Sequence, residues 1–142
     1  MGAATVLMAS GEDLPGNVKA VIADCGYTSE WDEFQREADT LHIPWFPVLN
    51  ATSVLSKVRD GYDFKQASAL AQVKKSRIPT LLIHGSSDEL VPYSMLGELY
   101  AAAACEKEEL TVEGAGHALS SSVAPTLYWR TVEDFIAKYL DR

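Results

Sequence analysis

Two side chains in this sequence carry the types and spacing that acid–base chemistry needs. Asp88 ends the run Ile78-Pro-Thr-Leu-Leu-Ile-His-Gly-Ser-Ser-Asp88 and is followed by Glu89-Leu-Val-Pro92; His117 lies in Gly114-Ala-Gly-His-Ala118. Each follows a run that reads as a β-strand, so both leave the carboxyl ends of strands, the rim where open α/β proteins place ligands. Their spacing of 29 residues is one strand–helix–strand unit. Adjacent strands lie ~4.8 Å apart, so loops from neighbouring strand ends can bring the two into hydrogen-bond contact. The carboxylate would hold one imidazole nitrogen, leaving the other to take a proton from a hydroxyl nucleophile. Gly114 and Gly116 give that loop conformations closed to other residues. Glu89 competes for the acid role. His84 ends a strand and reads as a satisfied structural histidine, His42 as a surface or lid residue, and Asp24 as a loop anchor.

The elements that must position this pair are legible in the apolar pattern. Met1 to Ala9 is small and apolar, as a helix packed close on a sheet would be. Val18–Ala23 reads as an interior strand. Ser29 with Asp32 resembles a capping box, opening a helix to about Leu41. A second helix runs from about Phe46 to Val58, Gly61–Phe64 is a loop, and Ser68–Lys75 a short helix. Pro79–His84 is the second strand, Pro92 opens a helix to about Cys105, and Glu109–Val112 is the third strand. Ser120, Ser121 and Ser122 read as loop and helix-entry residues. Pro125 opens a last helix, with Leu127, Val132, Phe135, Ile136, Tyr139 and Leu140 as its inward stripe. Alternating strands and helices predict a three-layer α/β/α arrangement with about three parallel strands and right-handed crossovers.

Composition narrows the partners. The 142 residues suit one domain, and 47% hydrophobic against 23% charged is an ordinary globular balance. Net charge is -8, with 20 acidic and 12 basic residues and no basic cluster, which disfavours nucleic acid and anionic membranes. No apolar run approaches the ~20 residues that span a bilayer. Cys25 and Cys105 read as reduced, packed thiols. No His, Cys, Asp and Glu set has metal-ligand spacing, and no glycine-rich phosphate loop follows a strand, so neither metal nor cofactor is expected.

The segment Pro79–Pro92 and the motif around His117 resemble the acid and histidine motifs of the α/β-hydrolase-fold serine hydrolases, whose chain order is nucleophile, acid, histidine. The likeness is greatest to the extended-lipase-like and peptidase-S9-like bacterial hydrolases, and it covers essentially the whole chain. It implies a partial α/β-hydrolase fold holding the last three strands of the family sheet, with a lid-like helical insertion at about residues 30–64. It implies Asp88 as triad acid and His117 as general base. The opening Met1-Gly2-Ala3 resembles the second half of a Gly-x-Ser-x-Gly turn, which makes the backbone N–H of Met1 an oxyanion-hole donor. Trp45, Phe46 and Tyr62 would line the acyl pocket, or form the core of the insertion itself.

The sequence contains no Gly-x-Ser-x-Gly, and none of Ser10, Ser86, Ser87 or Ser120–Ser122 is placed to substitute. The expectation is therefore a portion of a serine hydrolase acting on carboxylic esters or related acyl compounds, with its nucleophile upstream of Met1 and no triad activity by itself. The alternative is a non-catalytic α/β module. In either case the Val18–Ala23 strand should present a bare edge, inviting self-association. Targeting stays open, the cytoplasm being favoured for the chain as given.

Overall fold

Pairing is set by where each strand can first donate and accept. The computed structural model describes residues 1–140. Its elements run α1 (Gly2–Ala9), β1 (Val21–Asp24), α2 (Glu30–Thr40), α3 (Trp45–Asp60), α4 (Ala69–Val73), β2 (Thr80–Gly85), α5 (Ser94–Ala102), β3 (Lys107–Val112), α6 (Ser120–Val123) and α7 (Pro125–Ala137). The three strands form one parallel sheet in the order β1-β2-β3. All of β2 is buried, as its continuous apolar run requires of a central strand. Pro79 has no N–H to give, so the ladder starts beyond it; its carbonyl accepts from Val21 N at 2.9 Å. That moves the start of β1 from the expected Val18 to Val21. β3 starts two residues earlier than expected, at Lys107, because an edge strand tolerates charge. Lys107 Nζ donates to the carbonyls of Tyr100 and Ala103, and Glu108 pairs with Lys138 at 2.7 Å.

The period-2 alternation of the strands divides the core in two. Val21, Ala23 and Leu82 turn to one face, against Leu7 of α1, Ala69 and Val73 of α4, and Leu96 and Leu99 of α5. Leu81 and Ile83 turn to the other, against Val132 and Phe135 of α7. Two residues of the stripe expected on α7 are displaced: Leu127 and Leu140 are 49% and 65% exposed. Tyr128 takes the inward position instead, one helical turn before Val132, and Leu140 lies past the helix end. The serines after His117 enter a short helix, as expected of helix-entry residues. They form α6, and Ser120 Oγ reaches Asp24 Oδ1 at 3.4 Å.

α2 and α3 pack on each other rather than on the sheet. α2 buries no residue fully, and its Phe34 meets Phe64 with ring centroids 4.8 Å apart. The predicted cap is present: Ser29 Oγ accepts from Asp32 N at 3.0 Å. The excursion from 30 to 67 is closed at its neck. Ser29 bridges Ser68, Glu30 N donates to Ala67 O and Leu70 N to Thr28 O.

β1 pairs only with β2 among the described strands, so its other edge is bare. Val21 N and Cys25 N point to β2; by the parallel alternation, the N–H groups of Ile22 and Asp24 turn away from it.

One contact sets how closely the β2 and β3 loops approach. A Cβ on Gly85 would lie 2.7 Å from the Ala115 carbonyl carbon, where only backbone could yield. Gly85→Ala should therefore destabilise the fold by roughly 2–3 kcal/mol through overpacking. Chemical denaturation checks this, with Gly97→Ala, which meets nothing within 4 Å, as the variant that should not lose stability.

Candidate active site

The carboxyl ends of β2 and β3 are stitched together before either presents its functional residue. Ser86 N donates to Val112 O and Ser87 N to Ala115 O, both at 3.0 Å. Ser86 Oγ accepts from Gly114 N at 2.9 Å and donates to Glu113 Oε2 at 3.0 Å. Gly114 has φ +73, a left-handed conformation that favours glycine. The two turns then place Asp88 against His117, with Asp88 Oδ2 2.8 Å from His117 Nδ1.

Asp88 is held from several sides. Its Oδ1 accepts from Leu90 N and Val91 N, each at 2.9 Å, which closes the turn leading to α5. Its Oδ2 receives His117 and lies 3.3 Å from His84 Nε2. His84 Nε2 also contacts the Val91 carbonyl at 3.0 Å, and a carbonyl only accepts, so His84 carries its proton on Nε2. Its buried ring braces the acid loop. Burial alone would raise the Asp88 carboxyl, but the hydrogen bonds from Val91 and His117 oppose it, and the group is held below its ordinary value.

An ionised Asp88 accepts, so His117 Nδ1 donates and Nε2 keeps its lone pair. The Asp88 side chain is 0% exposed and that of His117 30%, which leaves a buried orienting anion and a reachable base. On the far side, Glu33 of α2 lies within electrostatic range of His117; burial pushes its carboxyl up in spite of Arg36, 2.8 Å away. Glu33 carries no signal in the sequence beyond its place in the first turn of a capped helix.

β1 contributes a third residue. Cys25 follows the strand with φ +58, a backbone conformation costing about 1–2 kcal/mol outside glycine. Its buried Sγ accepts from Ala118 N at 3.4 Å and donates to Asp24 Oδ1 at 3.2 Å. Burial, reinforced by Asp24, raises the thiol to about 12, so it stays protonated at neutral pH and is no nucleophile. Cys25 Sγ, an Asp88 oxygen and a His117 nitrogen all lie within 4.8 Å of one another. This corrects the expectation that no metal-capable set exists. The three residues come from three loops, and no spacing rule sees that.

Met1 caps α1 and is largely exposed. Gly26 packs against Leu7 and Ala3, and Tyr27 Oη donates to Met1 Sδ at 3.6 Å, so α1 begins beside the carboxyl end of β1. The amino end of α1 thus shares the rim of Asp88 and His117. Trp45 and Phe46 meet edge to face with ring centroids 6.1 Å apart, and Tyr62 meets Phe64 at 6.5 Å. Trp45 lines a groove of about 260 Å³ between α2 and α3 with Phe34, Leu41, Ile43 and Phe64. Phe46, which breaks the helical φ/ψ of α3, is 67% exposed; Tyr62 borders an adjoining recess that shares Phe34, Thr52 and Phe64 with that groove.

A family model described as the prolyl oligopeptidase family matches residues 1–142. The chain belongs to that family. This prolyl oligopeptidase family member is 30% identical over 139 residues to the uncharacterized protein YqkD of Bacillus subtilis, across 96% of this chain and 45% of that protein. The chain therefore spans less than half the length of that curated relative. Among solved structures, an esterase of Pyrococcus furiosus superposes with TM-score 0.68 at 17% identity, covering 97% of this chain and 51% of that one. An acylaminoacyl peptidase of Pyrococcus horikoshii superposes with TM-score 0.65 at 17% identity, covering 98% and 23%. The sheet and helices described above are those of the C-terminal portion of an α/β-hydrolase fold.

The low Asp88 carboxyl couples stability to pH. A folded-state value below the unfolded one stabilises fully above the ordinary 3.8 and loses that contribution as pH falls through the folded value. Asp88→Asn should cost roughly 2–3 kcal/mol at neutral pH. The gap between the two proteins should close on acidification below about pH 5. Urea unfolding across this range measures it; a gap independent of pH would contradict the assignment.

Proposed function

We propose that this chain supplies the acid and the base of a serine-hydrolase active site acting on carboxylic esters or related acyl compounds. The contact that carries the reading is the 2.8 Å hydrogen bond from the partly exposed His117 to the buried Asp88. Asp88 holds the imidazole in the Nδ1–H tautomer, and Nε2 removes the proton of a serine hydroxyl as that oxygen attacks the acyl carbon. The same proton passes to the leaving group as its bond to carbon breaks. Water then repeats the sequence and frees the acid. The serine comes from polypeptide upstream of Met1, and the Met1 backbone N–H helps hold the oxyanion, consistent with the start of α1 at the site rim. Trp45 contributes through the apolar groove between α2 and α3, which suits an acyl chain. Phe46 and Tyr62 stand against the groove residues Trp45 and Phe64 and bound it from outside.

Alone, the chain should resist labelling by a fluorophosphonate probe, and labelling would show a nucleophile within it. Joined to an upstream segment that supplies a Gly-x-Ser-x-Gly nucleophile turn, it should hydrolyse activated esters, and His117→Gln should reduce kcat by about 10⁴-fold or more. An unchanged rate in that variant would remove His117 from the chemistry.

A second reading, a self-associating module, draws on the bare edge of β1. The chain alone should form dimers by edge pairing or by exchange of α1. Sedimentation at micromolar concentration tests this, and a single monomeric species rejects it.

A further inference from the structure

We infer that Cys25, Asp88 and His117 form a site for a soft or borderline divalent cation of the zinc class, whose occupation is incompatible with the Asp88–His117 hydrogen bond. The three donors are a thiol sulfur, a carboxylate oxygen and an imidazole nitrogen, a combination that zinc accepts readily. Their atoms lie within 4.8 Å of one another, and the oxygen–nitrogen pair is already at 2.8 Å. Tetrahedral zinc would place such donors roughly 3.3–3.6 Å apart, so the sulfur must close by about 1 Å. The turn at Gly116 can supply that movement: even an added Cβ there would meet nothing closer than 3.5 Å, and the ties to Ser86 and Ser87 hold Gly114 and Ala115, not Gly116. The exposed part of the His117 ring gives an entry path, and water completes the shell.

Charge favours the assignment. One thiolate and one carboxylate neutralise a divalent cation, which suits a buried position. Cys25 loses its proton to water on binding, as coordinating thiols do. The proton on His117 Nδ1 leaves as that nitrogen takes the metal, and Nε2 gains one from solvent. Asp24, 3.2 Å from the sulfur, adds negative potential without being one of the three donors. The left-handed backbone at Cys25 turns its sulfur toward this cluster. The site stands on geometry alone. Its consequence rests on the hydrolase reading: an imidazole protonated on Nε2 cannot accept a serine proton, so a bound cation holds the base off.

Cadmium titration of the reduced chain tests the site, because a cadmium–thiolate bond gives an ultraviolet charge-transfer band. We expect one cadmium per chain, a band retained in Cys105→Ser and lost in Cys25→Ser, and affinity reduced at least about tenfold in His117→Gln. A missing band at millimolar cadmium, or a band that follows Cys105, would overturn the site. The readout does not involve ester hydrolysis, so failure here leaves the acid–base assignment standing, and loss of that assignment leaves the metal site standing.

Discussion

A buried carboxylate has to find donors for its lone pairs, and the rim of this sheet is organised around how Asp88 does so. Two backbone N–H groups of its own turn reach one oxygen, and two histidines approach the other. Without them the charge would be driven to protonate, because desolvation opposes it. The same arrangement fixes both imidazoles. His84 must keep its proton toward Val91 and Asp88, and His117 must donate from Nδ1. One anion therefore determines the tautomer of a structural histidine and of the candidate base.

That carboxylate is delivered by strand register. Residues 80–85 of β2 pair in parallel with 107–112 of β3, so the two strands end level and their loops leave the same rim. Gly85 allows the β3 loop to pass against the strand end, and Ser86 ties that loop through its hydroxyl and amide. Lys107 secures the opposite end of β3 by bonding the last carbonyls of α5. Small residues do this positioning, while the large apolar ones on either side of the sheet provide the stability.

Much of this was legible in the residues. The apolar run at 80–83, the cap at Ser29 and the proline at 125 marked elements that form where they were expected. Asp88 and His117 could be paired because each follows a strand, and parallel topology then puts them on one rim. Boundaries shifted where a partner strand decided them: Val18 has nothing to pair with before Thr80. Leu127 shows that hydrophobicity alone does not select the buried face, because Tyr128 has the better angular position. Cys25 was invisible as a neighbour of Asp88 and His117, since only the pairing of β1 with β2 brings it there. Of the aromatic trio, Trp45 lines the groove between α2 and α3 with Phe46 edge to face against it, while Tyr62 borders the adjoining recess and meets Phe64, an arrangement that closeness in sequence does not specify.

The neck formed by Ser29, Glu30, Ala67 and Ser68 has a consequence for how such chains diverge. Entry and exit of α2 and α3 are fastened side by side to the body, so the hairpin-like excursion behaves as a cassette. Its length, helix angles and groove chemistry can be rewritten without moving a strand or loosening the Asp88 turn. A lineage can thus retool what it admits to the rim while its acid and base inherit an unaltered frame.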